Sequence, residues 1–241
     1  MDEITKKKIL PVLFGLVLAL GFFAGCGGNG NAGPIKIATK PMTEQFITAE
    51  MLKLLIEQET GVPVEITKGI GGGTSNIQPA LLKGDYDLYT EYTGTAWLTV
   101  LNREDLPDDD TMFAELKKEY EEQFGLTWIG WYGFNNTYAL AVRQQVADQY
   151  QLVTCSDLVA AAPELVFGGN TDFFERADGF DALVEAYGYS FGRTMDLDIG
   201  LRYIALESGE IDVTNAFTTD PQLSVDGVVV LEDDKHHFQS Y

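Results

Sequence analysis

The sequence predicts an α/β protein with mainly parallel strands, and three observations carry that prediction. From Ile35 onward short apolar runs alternate with amphipathic segments, the pattern of strands joined by crossover helices. Gly61, Pro63 and Gly84 punctuate the segments at the points where a helix must stop. Two stretches also echo each other: Leu81 to Leu88 and Leu206 to Val213 both read as helix end, glycine stop, acidic turn and strand. An aromatic follows at the same distance in each, Tyr92 after Gly84 and Phe217 after Gly209. Ligands of open α/β sheets sit beyond the carboxyl ends of strands, so two such units would aim two aromatics into one cleft. The echo suggests a two-lobed clamp.

The elements follow in order. Ile35 to Ala38 is the first strand, and Thr43 is placed to cap a helix in which Met42 and Ile47 form a hydrophobic staple. Ile47, Met51, Leu54 and Leu55 keep helical spacing on it, and Gly61 and Pro63 end it. Val64 to Thr67 is a strand. After the loop Gly69 to Gly73, Asn76 is placed to cap a helix that tolerates Pro79 in its first turn and stops at Gly84. Leu88 and Tyr89 begin the next strand. A helix over Thr95 to Leu101, an acidic helix over Met112 to Phe124 and a strand over Thr127 to Trp131 complete the first half. After Gly133 come a strand at Tyr138 to Arg143, a helix entered through Ser156 and a short strand at Leu165 to Phe167. Helices at Phe180 to Tyr187 and Leu197 to Glu207, and strands at Ile211 to Asn215 and Val228 to Leu231, follow.

The chain has 241 residues, with 16 Lys and Arg against 37 Asp and Glu, for a net charge of -21. No basic surface is left to neutralise phosphates, which argues against nucleic acid as a partner. Residues 1–25 read as an export signal: Lys6, Lys7 and Lys8 precede an apolar run from Ile9 to Ala24 that is short for a membrane span. Phe23-Ala24-Gly25-Cys26 looks like a bacterial lipobox, with Phe23 where Leu is usual. That reading makes Cys26 the site of lipidation, residues 26–34 a tether, and the bilayer a partner through the acylated cysteine. The expected location is extracytoplasmic, anchored to the outer face of the cell membrane. Cys155 is then a small buried residue.

Catalytic material is sparse. His236 and His237 are adjacent, and neither a G-x-S-x-G elbow nor an H-E-x-x-H helix occurs. The glycine run at Gly69 to Gly73 lacks the lysine of a P-loop and reads as a tight strand-to-helix turn. Asp108 to Asp110 lacks Ca²⁺-loop spacing and reads as a solvated helix cap, and Asp233 to His237 is weak as a metal site. No metal, cofactor or enzymatic activity is expected. The positive signal is aromatic, with several tyrosines in polar contexts. A quaternary ammonium cannot donate a hydrogen bond and is recognised by aromatic faces, worth roughly 0.5 to 2 kcal/mol each. The alternative is that these tyrosines half-bury with a wet hydroxyl.

Lys40-Pro41-Met42-Thr43-Glu44-Gln45, Gly71 to Asn76, Leu88 to Thr95, Asn135 to Tyr138, and Asp172-Phe173-Phe174-Glu175-Arg176 together resemble the glycine betaine/carnitine/choline-binding proteins of osmoprotectant ABC importers. The resemblance runs from Ile35 to the last residue. It implies a two-lobed periplasmic-binding-protein-like (type II) fold, with lobe 1 at 35–133, lobe 2 at 134–235 and the start of a return to lobe 1 at 236–241. It also implies a membrane permease as partner and an aromatic cage for a trimethylammonium head, formed by Tyr92, Tyr138, Phe217 and Tyr241 with Asn136 beside them. The family usually has Tyr at the position of Phe217, so a ring face remains and a hydroxyl is lost. Lys40, Thr95 and Arg176 would handle the ligand's carboxylate. The alternative for Arg176 is an ion pair with Asp172 or Glu175. Family members continue past the position of Tyr241, which predicts that the C-terminal part of the first lobe is missing. Rival readings are a receptor for another small amine or amino acid, an extracytoplasmic hydrolase, and a structural surface lipoprotein.

Overall fold

The computed structural model describes residues 33–103 and 105–238. The export signal, most of the tether, Cys26 and Tyr241 lie outside the described residues.

Among the described residues the strands fall into two sheets. The first joins β1 (Ile35–Ala38), β2 (Val64–Thr67) and β3 (Leu88–Tyr89) in the order β2-β1-β3, all parallel. Parallel neighbours need crossovers, and α1 (Thr43–Thr60) and α2 (Gly73–Leu82) supply them. Ile37, Ala49 and Val64 form the small core beneath, with Leu52, Ile56 and Leu88 packed against it. Met42 takes the cap position of α1, so Thr43 is its first helical residue rather than its cap. The stripe Ile47, Met51, Leu54 and Leu55 is 55 to 65% exposed. The helix instead turns Gln45, Thr48 and Ala49 inward: Ala49 joins the core of Ile37 and Val64, while Gln45 meets a polar group and donates to the Thr90 carbonyl at 3.1 Å. Gly72 and Gly73 open α2 at φ of 71° and 48°, a conformation side chains rarely adopt, so the glycine run serves the turn. Asn76 lies inside α2, and its amide donates back to the Gly71 carbonyl at 2.6 Å.

A helical turn at Thr93–Thr95 widens into a π-helical turn at Ala96–Val100. It packs through Ala96 and Trp97 on Met112, Leu116 and Tyr120, one face of α3 (Asp109–Phe124). Asp108 caps α3, accepting from the Thr111 N–H at 3.0 Å and its hydroxyl at 2.8 Å. Thr127 to Trp131 is not a strand, contrary to its apolar pattern. Among the described residues no strand pairs with it, and aromatic contacts tie it to α3 instead: Phe113 meets Trp128 and Trp131 edge-on at 6.0 and 4.9 Å.

The second sheet has the order β6-β5-β7-β4-β8. Its strands are β4 (Tyr138–Arg143), β5 (Val166–Gly169), β6 (Arg193–Asp196), β7 (Val213–Phe217) and β8 (Val228–Leu231). It is mixed rather than parallel: β5 runs parallel to β6 and β7, but β4 is antiparallel to both β7 and β8. Five successive buried residues, Tyr138 to Val142, mark β4 as covered on both faces. Helices α4 (Gln144–Tyr150), α5 (Leu158–Ala161), α6 (Thr171–Glu175), α7 (Phe180–Tyr187) and α8 (Arg202–Ser208) cover the sheet or lead into the cleft. The helix expected from Leu197 begins only at Arg202, and the preceding residues Arg193 to Asp196 form β6 at the sheet edge.

Candidate functional site

Two strand ends build the site. Chain leaving β3 runs through Thr90 and Glu91 to Tyr92, while β7 ends on Phe217. The β4–β7 register pairs Tyr138 with Phe217, so their rings lie side by side, centroids 5.2 Å apart. A recess of about 20 Å³ is lined by Tyr92, Thr95, Asn136, Thr137, Tyr138 and Phe217. Thr95, Tyr138 and Phe217 also line a cleft of about 670 Å³. Its other walls include Lys40, the Gly71 to Asn76 turn, Asp172, Glu175, Arg176 and Asp198. The structure thus gathers seven of the residues singled out in the sequence, Lys40, Tyr92, Thr95, Asn136, Tyr138, Arg176 and Phe217, around two adjoining spaces.

The charges there are strongly engaged. Lys40 and Glu91 form an ion pair with side chains only 7% and 5% exposed. Glu91 also accepts from the Thr74 hydroxyl at 2.7 Å, the Tyr89 hydroxyl at 2.8 Å and the Tyr92 N–H at 2.8 Å. The Lys40 ammonium stands 4.6 Å from the centre of the Tyr92 ring. Tyr92 donates its hydroxyl to Glu44 at 2.7 Å and accepts from the Gln45 amide at 3.0 Å. Burial, reinforced by the Glu44 charge, pushes this phenol well above its ordinary pKa, so it stays neutral and donating. Burial likewise pushes Tyr138 up to about 12, against the pull of the Arg176 guanidinium 5.7 Å from its ring.

Arg176 holds Asp178 in a two-point bond, Nε to Oδ1 at 2.8 Å and Nη2 to Oδ2 at 2.7 Å. Among the described residues its ion pair is with Asp178, where the sequence alternative is Asp172 or Glu175. Nη1 reaches Thr95 Oγ1 at 3.2 Å, linking the segment after β5 of the second sheet to the segment after β3 of the first. Arg202 is 1% exposed, lies 5.2 Å from the Phe217 ring centre and donates to the Asn215 carbonyl. Each of the three rings therefore carries a cation of the protein's own.

Glu44, Gln45 and Glu91 enter the sequence reading only as members of motifs, with no site role assigned to them, and Arg202 does not enter it at all. Their partners lie far along the chain, so no local signal marks them. The aspartates of the two acidic runs serve structure: besides the Asp108 cap, Asp233 accepts from the Phe238 N–H at 2.8 Å and Asp234 from the Ser156 N–H at 3.0 Å. Among the described residues no His, Cys, Asp and Glu group could hold a metal, and no helix is long and apolar enough to cross a membrane. Cys155 is buried, and burial pushes its thiol up to about 12.

A family model described as the substrate binding domain of ABC-type glycine betaine transport system matches residues 33–241. The chain is 46% identical over 208 residues to the ergothioneine transport permease/ergothioneine binding protein EgtU of Helicobacter pylori, covering 86% of this chain and 37% of that protein. It is 36% identical over 243 residues to the carnitine transport binding protein OpuCC of Listeria monocytogenes, covering 98% and 79%. Among solved structures, a glycine betaine/carnitine/choline ABC transporter superposes with a TM-score of 0.63 at 31% identity, over 86% of this chain and 77% of that one.

Proposed function

The chain belongs to the substrate-binding domains of ABC-type glycine betaine transport systems and has their two-lobed type II periplasmic-binding-protein fold, and from this premise we propose that it captures a zwitterionic trimethylammonium compound for import. Family members are extracytoplasmic binding components of importers, not enzymes. One observation carries the ligand class: Tyr92, Tyr138 and Phe217 converge on a single recess that adjoins a polar cleft walled by Arg176. A recess of about 20 Å³ has room for about one water. The trimethylammonium head therefore sits at its mouth, where Thr95, Tyr138 and Phe217 also face the cleft, and meets ring faces that need no hydrogen bond from it. The carboxylate takes the Arg176 Nη1 donor that Thr95 now occupies, with Lys40 held on the cleft wall by Glu91. Lobe closure over the ligand presents the loaded form to a membrane permease. Cys26, lipidated after removal of residues 1–25, keeps the protein at the membrane surface.

The size of the cleft favours a second reading within this class. About 670 Å³ exceeds what glycine betaine fills, and Asp172, Glu175 and Asp198 on its wall can accept from N–H donors. A longer betaine bearing a nitrogen ring fits both facts, and ergothioneine, named for the Helicobacter pylori relative, has that chemistry. Thermal melts and calorimetric titrations with glycine betaine, carnitine, choline and ergothioneine, with glycine and arginine as controls, test the proposal. Ligand at about 100 times its Kd adds roughly 2.7 kcal/mol to stability. A rise with trimethylammonium compounds alone supports the cage. A rise with arginine or glycine instead would assign the site to another amine or amino acid.

A further inference from the structure

Glu44 lies in the first turn of α1, directly behind the recess. Its two carboxylate oxygens are divided between two recess walls, Oε1 accepting from the Tyr92 hydroxyl at 2.7 Å and Oε2 from the Asn136 amide at 2.8 Å. Gln45, its neighbour, fixes the same hydroxyl from the other side and is itself anchored on the Thr90 carbonyl. The carboxylate thus ties a first-lobe ring to the amide where the chain crosses into the second sheet. The other acidic group at Tyr92, Glu91, is balanced by Lys40. Glu44 is not: among the described residues no Lys or Arg pairs with it. Around Tyr92 one cation therefore faces two anions, and the surplus charge is negative.

That surplus has a purpose in a wall whose rings are already approached by cations. Lys40 over Tyr92, Arg176 near Tyr138 and Arg202 near Phe217 all lower the attraction of those rings for a further positive charge. An unpaired carboxylate close behind the recess restores it, because a charge in a partly buried setting acts over several ångströms with little screening. We propose that Glu44 is the specificity-determining counter-charge of this site, making the recess choose a cation over an uncharged group of the same shape. It acts as a positioning residue through Tyr92 and Asn136 and by its own field, without touching the ligand. The inference rests on reading the recess as the seat of a quaternary ammonium.

The test compares wild type and Glu44→Gln in calorimetric titrations with glycine betaine, carnitine and ergothioneine. A competition titration adds 3,3-dimethylbutyrate, in which carbon replaces the quaternary nitrogen of glycine betaine. Gln keeps the length of the side chain and an acceptor for Tyr92 but removes the charge. The expected result is a loss of about tenfold for whichever betaines wild type binds, with the uncharged isostere changed by less than about twofold. Equal losses for betaine and isostere would mean a merely structural role and overturn the proposal, as would unchanged betaine affinity. Should Glu44→Gln melt early, Glu44→Asp keeps the charge while shortening the reach, and it must retain the preference for the cation. A wild type that binds no trimethylammonium compound at all would remove the premise itself, an outcome distinct from a Glu44→Gln variant that binds them as well as wild type without the charge.

Discussion

Tyr138 and Phe217 are cross-strand partners on β4 and β7, and their rings stand 5.2 Å apart with planes inclined at 33°. The pairing is antiparallel, so the register that builds the second sheet also builds one wall of the recess. Shifting either strand by one residue would send one ring to the opposite face and empty that wall.

Phe217→Ala is expected to weaken betaine binding at least tenfold, since it removes one ring and the cover over Arg202. Phe217→Tyr keeps the ring and is expected to change affinity by less than about threefold. Titration calorimetry on both variants checks this. A large gain in the tyrosine variant would show that the missing hydroxyl matters.

Tyr92→Ala is expected to cost an order of magnitude or more in affinity, because it takes away a ring face and also the hydroxyl shared by Glu44 and Gln45. Tyr92→Phe separates the two effects. It retains the face, and a loss under about fivefold in the same titration would assign most of the energy to the ring.

Asp178→Ala leaves the Arg176 guanidinium without its two-point partner while 90% of that side chain remains out of water. Stability is expected to fall by about 2 kcal/mol, less than for a fully buried pair because Asp178 keeps a fifth of its side-chain surface exposed. For a chain of this size that is about 5 °C in Tm, readable by circular dichroism.

The acid limb of stability should carry a contribution from Asp233. Burial opposes its ionisation, but hydrogen bonds from Tyr187, Phe238 and His237 prevail and hold its pKa below the ordinary 3.8. A carboxyl whose folded pKa is depressed contributes stability that is complete above its unfolded value and disappears as pH falls through the folded one. The Tm difference between wild type and Asp233→Asn is therefore expected to be constant above about pH 5 and to shrink between pH 4 and pH 2. Melts across that range decide it, and a difference that grows with acidity would reverse the assignment.

The legible parts of the fold were those set by local pattern. The strand at Tyr138 to Arg143, the helix at Phe180 to Tyr187 and the Asp108 cap depend on neighbours within a few residues, and they are where the sequence puts them. The glycine-stop echo points Tyr92 and Phe217 at one cleft; Tyr92 follows β3, Phe217 ends β7, and both line one recess. What a segment meets is not written in it. Thr127 to Trp131 has a strand's composition, but a strand requires a partner, and its rings found α3 instead. Lys40 was legible as a cation in a motif. Its engagement with Glu91, 51 residues away, was not, nor was the link from Glu44 to Asn136 across 92 residues. Pairings at such separations emerge only when neighbouring strands, or the two sheets, bring their loops together.

The outward stripe on α1 has a practical consequence at the bench. Ile47, Met51, Leu54 and Leu55 span two helical turns, so they lay an oily band about 12 Å long on the molecule's exterior. A band of that kind makes colloidal behaviour depend on concentration, through adsorption to plastic and clustering in stock solutions. Apparent affinities taken from concentrated samples would then fold particle size into ligand response. Light scattering over a dilution series belongs ahead of every titration, and the concentration at which the hydrodynamic radius stops changing is the one at which binding curves can be compared.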